Sequence, residues 1–141
     1  MPAKMYYDAD TDPSALAGQT VAVIGYGSQG HAHAQNLHES GVDVVVGLTP
    51  TSKSRAHVQA AGIKVADVAD AVKAADVIMI AVPDTVQKAV YDNEIGPNLR
   101  PGQLLTLHVF EPRYRVLMFD RRDVEPRELL VVLIERGHEV G

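Results

Sequence analysis

Short apolar runs alternate along the chain with longer segments in which apolar residues return at every third or fourth position. The short runs are rich in valine and isoleucine, which is typical of strands buried on both faces of a parallel sheet. The spacing in the longer segments predicts amphipathic helices. The predicted strands are Val21–Ile24, Val42–Gly47, Ile63–Val65, Val77–Val82, Leu104–His108 and Leu129–Ile134.

A helix is predicted in each interval between these strands. The first follows Gly30 and ends at Gly41, and the others are Ser54–Ala61, Val68–Ala75, Thr85–Tyr91 and Pro112–Asp120. Asp67 is the expected N-cap of the third helix. The alternation predicts an α/β protein with a Rossmann-like, doubly wound parallel sheet of six strands in the order 3-2-1-4-5-6, layered α/β/α. Residues 1–141 are expected to form a single domain.

The turn between the first strand and the first helix carries a complete G-x-G-x-x-G motif, Gly25-Tyr26-Gly27-Ser28-Gln29-Gly30. Strand, glycine turn and helix together are the context of a dinucleotide-binding site. Gly25 is expected to allow the tight turn, Gly27 to let a pyrophosphate approach the backbone, and Gly30 to let the helix pack closely. The N–H groups at the start of the helix would hold the phosphate. The alternative is a tight turn that binds nothing.

The segment after the second strand bears on the choice of dinucleotide. NAD-binding members of this fold place an Asp or Glu there for the ribose 2′-hydroxyl. This chain instead has hydroxyls and cations, in the order Leu48-Thr49-Pro50-Thr51-Ser52-Lys53-Ser54-Arg55. Such groups suit a 2′-phosphate, so NADP(H) is predicted over NAD(H). The alternative is a solvated polar loop that caps the next helix.

Two further strand ends supply candidate site residues, because ligands bind at the carboxyl ends of strands in such sheets. Pro83, Asp84 and Gln87 follow the fourth strand and are expected near the cofactor. For Asp84 we favour the role of N-cap over that of a ligand contact. His108 ends the fifth strand, where it is a candidate for chemistry near the nicotinamide, with a structural histidine as the alternative.

Composition excludes several functions. The chain of 141 residues has a formal net charge of −5 and no visible basic face, which argues against a general nucleic-acid partner. Cysteine is absent, so thiolate metal sites and disulfides are excluded. No apolar run is long enough for a membrane span, and the polar, acidic N-terminus is unlike a targeting peptide, so a cytoplasmic location is expected. His31 and His33 point apart on a helix, and no metal site is predicted.

Residues 5–103 resemble the N-terminal domain of ketol-acid reductoisomerase, above all in GYGSQGHAHAQNL and GIKVADVADAVKAADVIMIAVPD. That family uses NADPH and magnesium to isomerise and reduce an acetohydroxy acid in branched-chain amino-acid synthesis. The resemblance implies that Tyr26–Gly30 face the cofactor, with Leu48 beside them, and that Ser52 and Ser54 lie at the 2′-phosphate. Thr49 stands where many members carry arginine, which weakens the expected binding of the 2′-phosphate.

The resemblance changes after Gln103. LHVFEPRYRVLMFD and EPRELLVVLIERGHEVG, within residues 105–141, resemble the N-terminal substrate-recognition domain of Lon protease. Val109 replaces the glycine of the His-Gly-Phe that ends a strand in the reductoisomerase family. We therefore expect an engineered chimera, in which residues 1–104 are reductoisomerase-like and residues 105–141 supply the last helix and strand of the sheet.

The resemblance also limits the expected activity. In the family, a helical C-terminal domain holds two magnesium ions, and here Glu135-Arg136 stand near the position of the family's lysine after the sixth strand. We expect a module that binds NADP(H) without reductoisomerase turnover or a metal, and that self-associates through surface the missing domain would cover. The alternatives are a minimal hydride-transfer enzyme using His108, a scaffold that binds no cofactor, and a Lon-like protein-recognition module.

Overall fold

The computed structural model describes residues 7–10, 12–108 and 129–132. The strands are β1 Thr20–Ile24, β2 Asp43–Gly47, β3 Lys64–Ala66, β4 Val77–Ile80, β5 Leu104–His108 and β6 Leu129–Val132. The α-helices are α1 Ser28–Glu39, α2 Ser54–Ala60, α3 Val68–Ala74 and α4 Asp84–Val90. A π turn over Tyr91–Ile95 and 3-10 turns over Asp8–Asp10, Pro13–Leu16 and Gly96–Asn98 complete the described elements.

The strands form one parallel sheet in the order β3-β2-β1-β4-β5-β6. β1 lies between β2 and β4, with Val21 opposite Val44 on one side and Val77 on the other. The first five strands confirm the predicted Rossmann-like parallel sheet. The backbone of β6 pairs with β5, Leu129 opposite Leu105. The predicted helix over Pro112–Asp120 and the end of the predicted last strand lie outside the described residues.

Alternate residues of the inner strands point to opposite faces of the sheet, so the core has two layers. One layer contains Val21 and Val23 of β1 and is covered by Ala34 of α1 and Val58 of α2. The other contains Ala22, Ile24, Ile78 and Ile80, covered by Val68, Ala71 and Val72 of α3 and by Ile95. Helices on both faces confirm the α/β/α layering for the described part of the chain.

The first helix begins earlier than predicted. Gly27 is its N-cap, and the first intrahelical bond runs from the His31 N–H to the Gly27 carbonyl oxygen at 2.8 Å. Gly30 therefore lies inside the first turn of α1, although the sequence placed it at the boundary. The fourth strand ends earlier than predicted, at Ile80, because the neighbouring strand β1 ends at the paired residue Ile24 and turns away at Gly25. The Ala81 N–H still donates to the Ile24 carbonyl oxygen, at 2.8 Å.

The two predicted caps had different outcomes. Asp67 does occupy the N-cap position of α3, but its side chain makes no capping bond there. The prediction for Asp84 was wrong, since Pro83 is the N-cap and Asp84 is the first residue of α4. The physical reason is that Pro83 has an extended ψ of 144° and the helix begins directly after it, one residue earlier than predicted, which makes Asp84 a helical residue.

Candidate functional site

The strand order reverses between β1 and β4. From β1 the chain adds β2 and β3 on one side, and it then crosses to add β4 and β5 on the other. In open α/β sheets the connections that leave the carboxyl ends at such a point diverge and create a ligand-binding crevice. The segment over residues 25–30, a glycine turn and the start of α1, leaves β1, and the segment over residues 81–87 leaves β4. The fold thus brings two of the predicted site segments to one crevice.

Gly25 forms the turn at the end of β1, and the turn requires glycine for two reasons. Its φ is +104°, which residues with a side chain rarely adopt. A Cβ atom there would also lie 2.9 Å from the carbonyl oxygen of Ala81, at the end of β4. The Gly25 N–H donates to the Gly47 carbonyl oxygen at 3.1 Å, which ties the turn to the end of β2.

Gly30 is buried where α1 crosses this turn. A Cβ atom at Gly30 would lie 2.4 Å from the Gly25 carbonyl oxygen and 3.3 Å from the Cβ of Ala81. The helix therefore packs directly on the glycine turn. The backbone of the protein itself requires Gly30, as predicted.

Gly27 has different surroundings. Its φ of −74° and ψ of −165° lie in a region open to any residue. A Cβ atom there would meet nothing within 4 Å. Packing among the residues that the structure describes therefore gives no reason for glycine at this position, and the space beside it can accept a ligand.

The beginning of α1 faces the same space. The N–H groups of Ser28, Gln29 and Gly30 precede the hydrogen-bond ladder, which starts with the His31 N–H. Ser28 and Gln29 are exposed, and the first turn of α1 contains no acidic residue. Free N–H groups and the positive end of a helix of 12 residues attract an anion such as a phosphate.

Tyr26, between the first two glycines, is half-buried. Its ring meets the ring of His31 edge-on, with 5.1 Å between centroids and 63° between planes. Burial raises the pKa of the Tyr26 phenol above its ordinary value. The contact of Tyr26 with a cofactor stays a prediction.

The loop after β2 is the third predicted segment, and it begins beside the glycine turn. Leu48 is only 7% exposed and belongs to the core under α1 and α2, which gives its side chain a structural role. The Ser52 N–H donates to the Thr49 carbonyl oxygen at 3.1 Å, and the Ser52 hydroxyl accepts from the Ser54 N–H at 3.3 Å. The two predicted serines are thus neighbours at the start of α2.

Arg55 is directed inward from this loop. Its Nη1 lies 3.1 Å from the Leu48 carbonyl oxygen and 3.0 Å from Oδ1 of Asp67. The carbonyl oxygens of Thr49 and Ala66 are 3.4 and 3.5 Å away. The same carboxylate that leaves α3 uncapped therefore binds Arg55.

The residues after β4 are linked by hydrogen bonds to one another. Nε2 of Gln87 donates to the Val82 carbonyl oxygen and to Oδ1 of Asp84, at 3.1 Å each. Asp84 and Gln87 are half-buried, whereas Pro83 is exposed. These bonds fix the first turn of α4 beside the crevice, and the predicted cofactor contacts of all three residues remain predictions.

His108 ends β5, which β4 separates from β1 in the sheet. Its backbone pairs with Val132 of β6. Its side chain lies outside the described residues, so its predicted place near a nicotinamide is not tested.

Within residues 7–10, 12–108 and 129–132, no group of three or more His, Asp or Glu side chains is placed to hold a metal ion. The helices of that part of the chain are all too short or too polar to cross a membrane. A groove of about 410 Å³ lies between residues 13–20 and 40–43, at the amino ends of β1 and β2 and so opposite the glycine turn.

No sequence pattern predicts the contacts that hold α3. Gln103 is 6% exposed, and its Nε2 donates to the carbonyl oxygens of Val72 and Ala75, at 2.7 and 2.6 Å. Nη2 of Arg100 donates to the Ala75 carbonyl oxygen at 2.8 Å. Both residues fall in or beside a segment that hydropathy describes only as a loop before β5.

The sequence pattern of the acetohydroxy acid isomeroreductase NADPH-binding domain matches residues 15–133. An NADH-preferring ketol-acid reductoisomerase from an uncultured archean is 38% identical, with a TM-score of 0.70 over 74% of this chain and 33% of its own. The V8 variant of an imine reductase from Myxococcus stipitatus, solved with NAD+, is 32% identical, with a TM-score of 0.51 over 62% of this chain and 30% of its own. A putative oxidoreductase from Mycobacterium avium 104 is 26% identical, with a TM-score of 0.61 over 80% of this chain and 40% of its own.

The chain thus spans about a third of the length of the reductoisomerase that it matches. The family match covers most of the chain and includes the glycine turn, the loop after β2 and the first five strands. It confirms the resemblance to ketol-acid reductoisomerase, an alternative name for the isomeroreductase. The chain belongs to the acetohydroxy acid isomeroreductase family, as a Rossmann-like NAD(P)-binding domain.

Proposed function

We propose that this domain binds NADP(H) in the crevice between β1 and β4, with the cofactor pyrophosphate against Gly27 and the start of α1. The contrast among the three glycines of the motif carries the proposal. Gly25 and Gly30 are required by contacts inside the protein, at 2.9 and 2.4 Å from a hypothetical Cβ. Gly27 has no such contact within 4 Å among the described residues, which leaves room for a ligand to explain its glycine.

The residues around Gly27 fit a dinucleotide. The N–H groups of Ser28, Gln29 and Gly30 would donate to the pyrophosphate, and Tyr26 would border it. The half-buried hydroxyls of Ser52 and Ser54 would reach the adenosine ribose from the loop after β2. When bound, the nicotinamide of the cofactor is a hydride donor or acceptor, and the chain's own contribution is to hold and orient it.

The preference for NADP(H) rests on the loop after β2. Residues 48–55 contain no Asp or Glu that would accept a bond from a 2′-hydroxyl, and they offer serine hydroxyls and the exposed Lys53 to a 2′-phosphate. Thr49, in place of an arginine, reduces this preference. Because the reductoisomerase neighbour is described as NADH-preferring, both cofactors belong in the test.

Calorimetric titration of the chain with NADPH and with NADH tests the proposal. Saturable binding is expected for both, with NADPH the tighter. If circular dichroism shows a folded protein that binds neither cofactor, the proposal is overturned and the alternative of a scaffold without a cofactor stands.

Gly27→Asp sharpens the test, because the fold and the ligand should respond oppositely. Aspartate is a good N-cap and complements the helix dipole, so the free energy of unfolding should stay constant or rise by up to about 1 kcal/mol. A carboxylate where the pyrophosphate should lie would weaken NADPH binding at least roughly 100-fold. Gly27→Asn, of similar size and uncharged, separates steric exclusion from charge repulsion. Unchanged NADPH affinity in Gly27→Asp would place the cofactor elsewhere.

We also propose that residues 105–141 complete this domain as a Lon-like segment joined to a reductoisomerase-like one. The similarity of LHVFEPRYRVLMFD and EPRELLVVLIERGHEVG to Lon segments supports the origin, and Val109 in place of the family's glycine supports a junction near Leu105–Phe110. The family match reaches residue 133, which supports a place for this segment in the same domain. On this proposal the 141 residues form one unit that holds the cofactor.

A further inference from the structure

Arg55 connects two loops at the edge of the sheet where the cofactor is proposed to bind. The four acceptors within 3.5 Å of its Nη1 come from the end of β2 and from the end of β3. They are the carbonyl oxygens of Leu48, Thr49 and Ala66 and the carboxylate of Asp67. The guanidinium therefore faces into the fold, away from the exposed side of the loop.

The charge of Arg55 is already paired. Its side chain is 27% exposed and lies 3.0 Å from the carboxylate of Asp67, whose side chain is 49% exposed. Asp67 is at the N-cap of α3 but makes no capping bond, so its carboxylate is directed to Arg55 instead. A guanidinium held by a carboxylate and by carbonyl oxygens on two loops is suited to fixing the position of those loops.

Lys53 differs from Arg55 in its exposure and in the pairing of its charge. It is exposed at the turn before α2, and among the residues that the structure describes it makes no salt bridge. An ammonium on a flexible stem in this position is free to meet a phosphate that arrives from solvent. The two cations that the sequence offers to a 2′-phosphate thus have different roles in the fold.

We propose that Arg55 is a positioning residue, which holds the loop Leu48–Ser54 in its binding shape through Asp67, and that Lys53 supplies the charge for the 2′-phosphate. This inference rests on the proposed binding of NADP(H). It has a thermodynamic consequence, because NADPH and NADH both need the loop in place. Loss of a positioning residue weakens both cofactors equally, whereas loss of a direct contact weakens only the one with the 2′-phosphate.

Two matched variants distinguish these roles, since each removes one positive charge at the start of α2, Lys53 at its N-cap and Arg55 in its first turn. In Arg55→Met, the dissociation constants of NADPH and NADH should both rise by about fivefold to tenfold, and their ratio should stay within about twofold. In Lys53→Met, the dissociation constant of NADPH should rise by about fivefold to tenfold and that of NADH should not change. Calorimetric titration of each variant with each cofactor gives the four values.

A second readout needs no cofactor. The Leu48 N–H donates to the Ala66 carbonyl oxygen at 3.0 Å and the Ser54 N–H to the Ser52 hydroxyl at 3.3 Å. Exchange of these amide hydrogens should become faster in Arg55→Met and in Asp67→Asn, and should not change in Lys53→Met. Asp67→Asn should also weaken both cofactors equally, so the test survives if Arg55→Met fails to fold.

The outcomes are separable. Selective loss of NADPH binding in Arg55→Met, or unchanged amide exchange in both Arg55→Met and Asp67→Asn, would overturn the positioning role. An unchanged NADPH affinity in Lys53→Met would overturn the role of Lys53. If the unaltered chain binds neither cofactor, the proposed function fails, and faster exchange in Arg55→Met would then support only the structural part of the inference.

Discussion

Glycine at a given position can serve the backbone, the packing or a ligand, and the described structure separates these uses residue by residue. Gly47 serves packing, because its hypothetical Cβ would lie 2.6 Å from Cδ1 of Ile24, the far end of a flexible side chain. For Gly30 the obstacle is the Gly25 carbonyl oxygen at 2.4 Å, which belongs to the backbone of the turn. A side chain can rotate away, but this backbone cannot move without opening the turn.

Alanine substitutions should therefore follow a fixed order of cost. Gly30→Ala is expected to lower the free energy of unfolding by about 3 kcal/mol and Gly47→Ala by about 1 kcal/mol, since both overpack a filled space. Gly27→Ala should cost only about 0.5 kcal/mol, from the poorer N-cap. Urea denaturation of the three variants measures the order. A Gly27→Ala variant as unstable as Gly30→Ala would contradict the open space described in front of Gly27.

The sequence predicted the roles of Gly25 and Gly30 because the motif and the adjoining strand are local features. It could not predict the orientation of Arg55. Residues 48–55 show a cation in a polar loop, but its acceptors include Ala66 and Asp67, and their position depends on where the third strand joins the sheet. Partners set by tertiary structure leave no pattern near the residue itself.

Among the elements, α3 depends most clearly on the rest of the fold. It has seven residues, too few for a stable helix in isolation. Arg100 and Gln103 donate to the carbonyl oxygens at its carboxyl end, and the apolar face of α3 covers one layer of the core. The approach to β5 thus acts as the C-terminal cap of a helix that lies far earlier in the chain.

Gln103→Leu should destabilise the protein strongly. Leucine keeps the volume but leaves two carbonyl oxygens of α3 and the Arg100 N–H, which donates to Oε1 of Gln103 at 2.6 Å, without this buried partner. A loss of about 2–4 kcal/mol in the free energy of unfolding is expected. Arg100→Met is the control, and its cost should be about 1 kcal/mol because Arg100 is exposed. Urea denaturation measures the free energy of unfolding of both variants. If the two variants lose equally little, water takes over the hydrogen bonds of the Gln103 amide and the prediction fails.

Strand positions were the most predictable elements, since uninterrupted β-branched runs have few other stable environments. Helix starts were less predictable. The sequence placed the beginning of α1 after Gly30, whereas the N-cap is Gly27, because glycine within a first turn looks like a boundary. Helix α4 likewise begins one residue earlier than predicted, with Pro83 and not Asp84 at its N-cap.

At the scale of the whole molecule, the order of the first five strands followed from the alternation of strand and helix and from right-handed crossovers. The two-layered core followed from the same alternation. The extent of the domain did not follow, because the apolar run Leu129–Ile134 would suit any sheet edge of the right length. Our proposal of one domain over residues 1–141 therefore needs a global measurement.

Limited proteolysis with trypsin provides that measurement. The segment between β5 and β6 contains the cleavage sites Arg113, Arg115, Arg121, Arg122 and Arg127. If residues 1–141 unfold as one unit, cleavage there should require global unfolding and should show the same urea dependence as cleavage at Arg55. NADPH at 100 times its dissociation constant should then slow cleavage at all sites by roughly 100-fold. Rapid cleavage in this segment, with a persistent fragment over residues 1–104, would contradict a single domain.

The open space at Gly27 has an evolutionary consequence. In a lineage that stopped using the cofactor, selection for a folded protein would still retain Gly25 and Gly30, because their replacements strain the chain. Gly27 would be released to neutral drift and would acquire side chains of many kinds. Descendants with both outer glycines and a bulky residue between them should therefore be folded relics that have lost the nucleotide, recognisable from sequence alone.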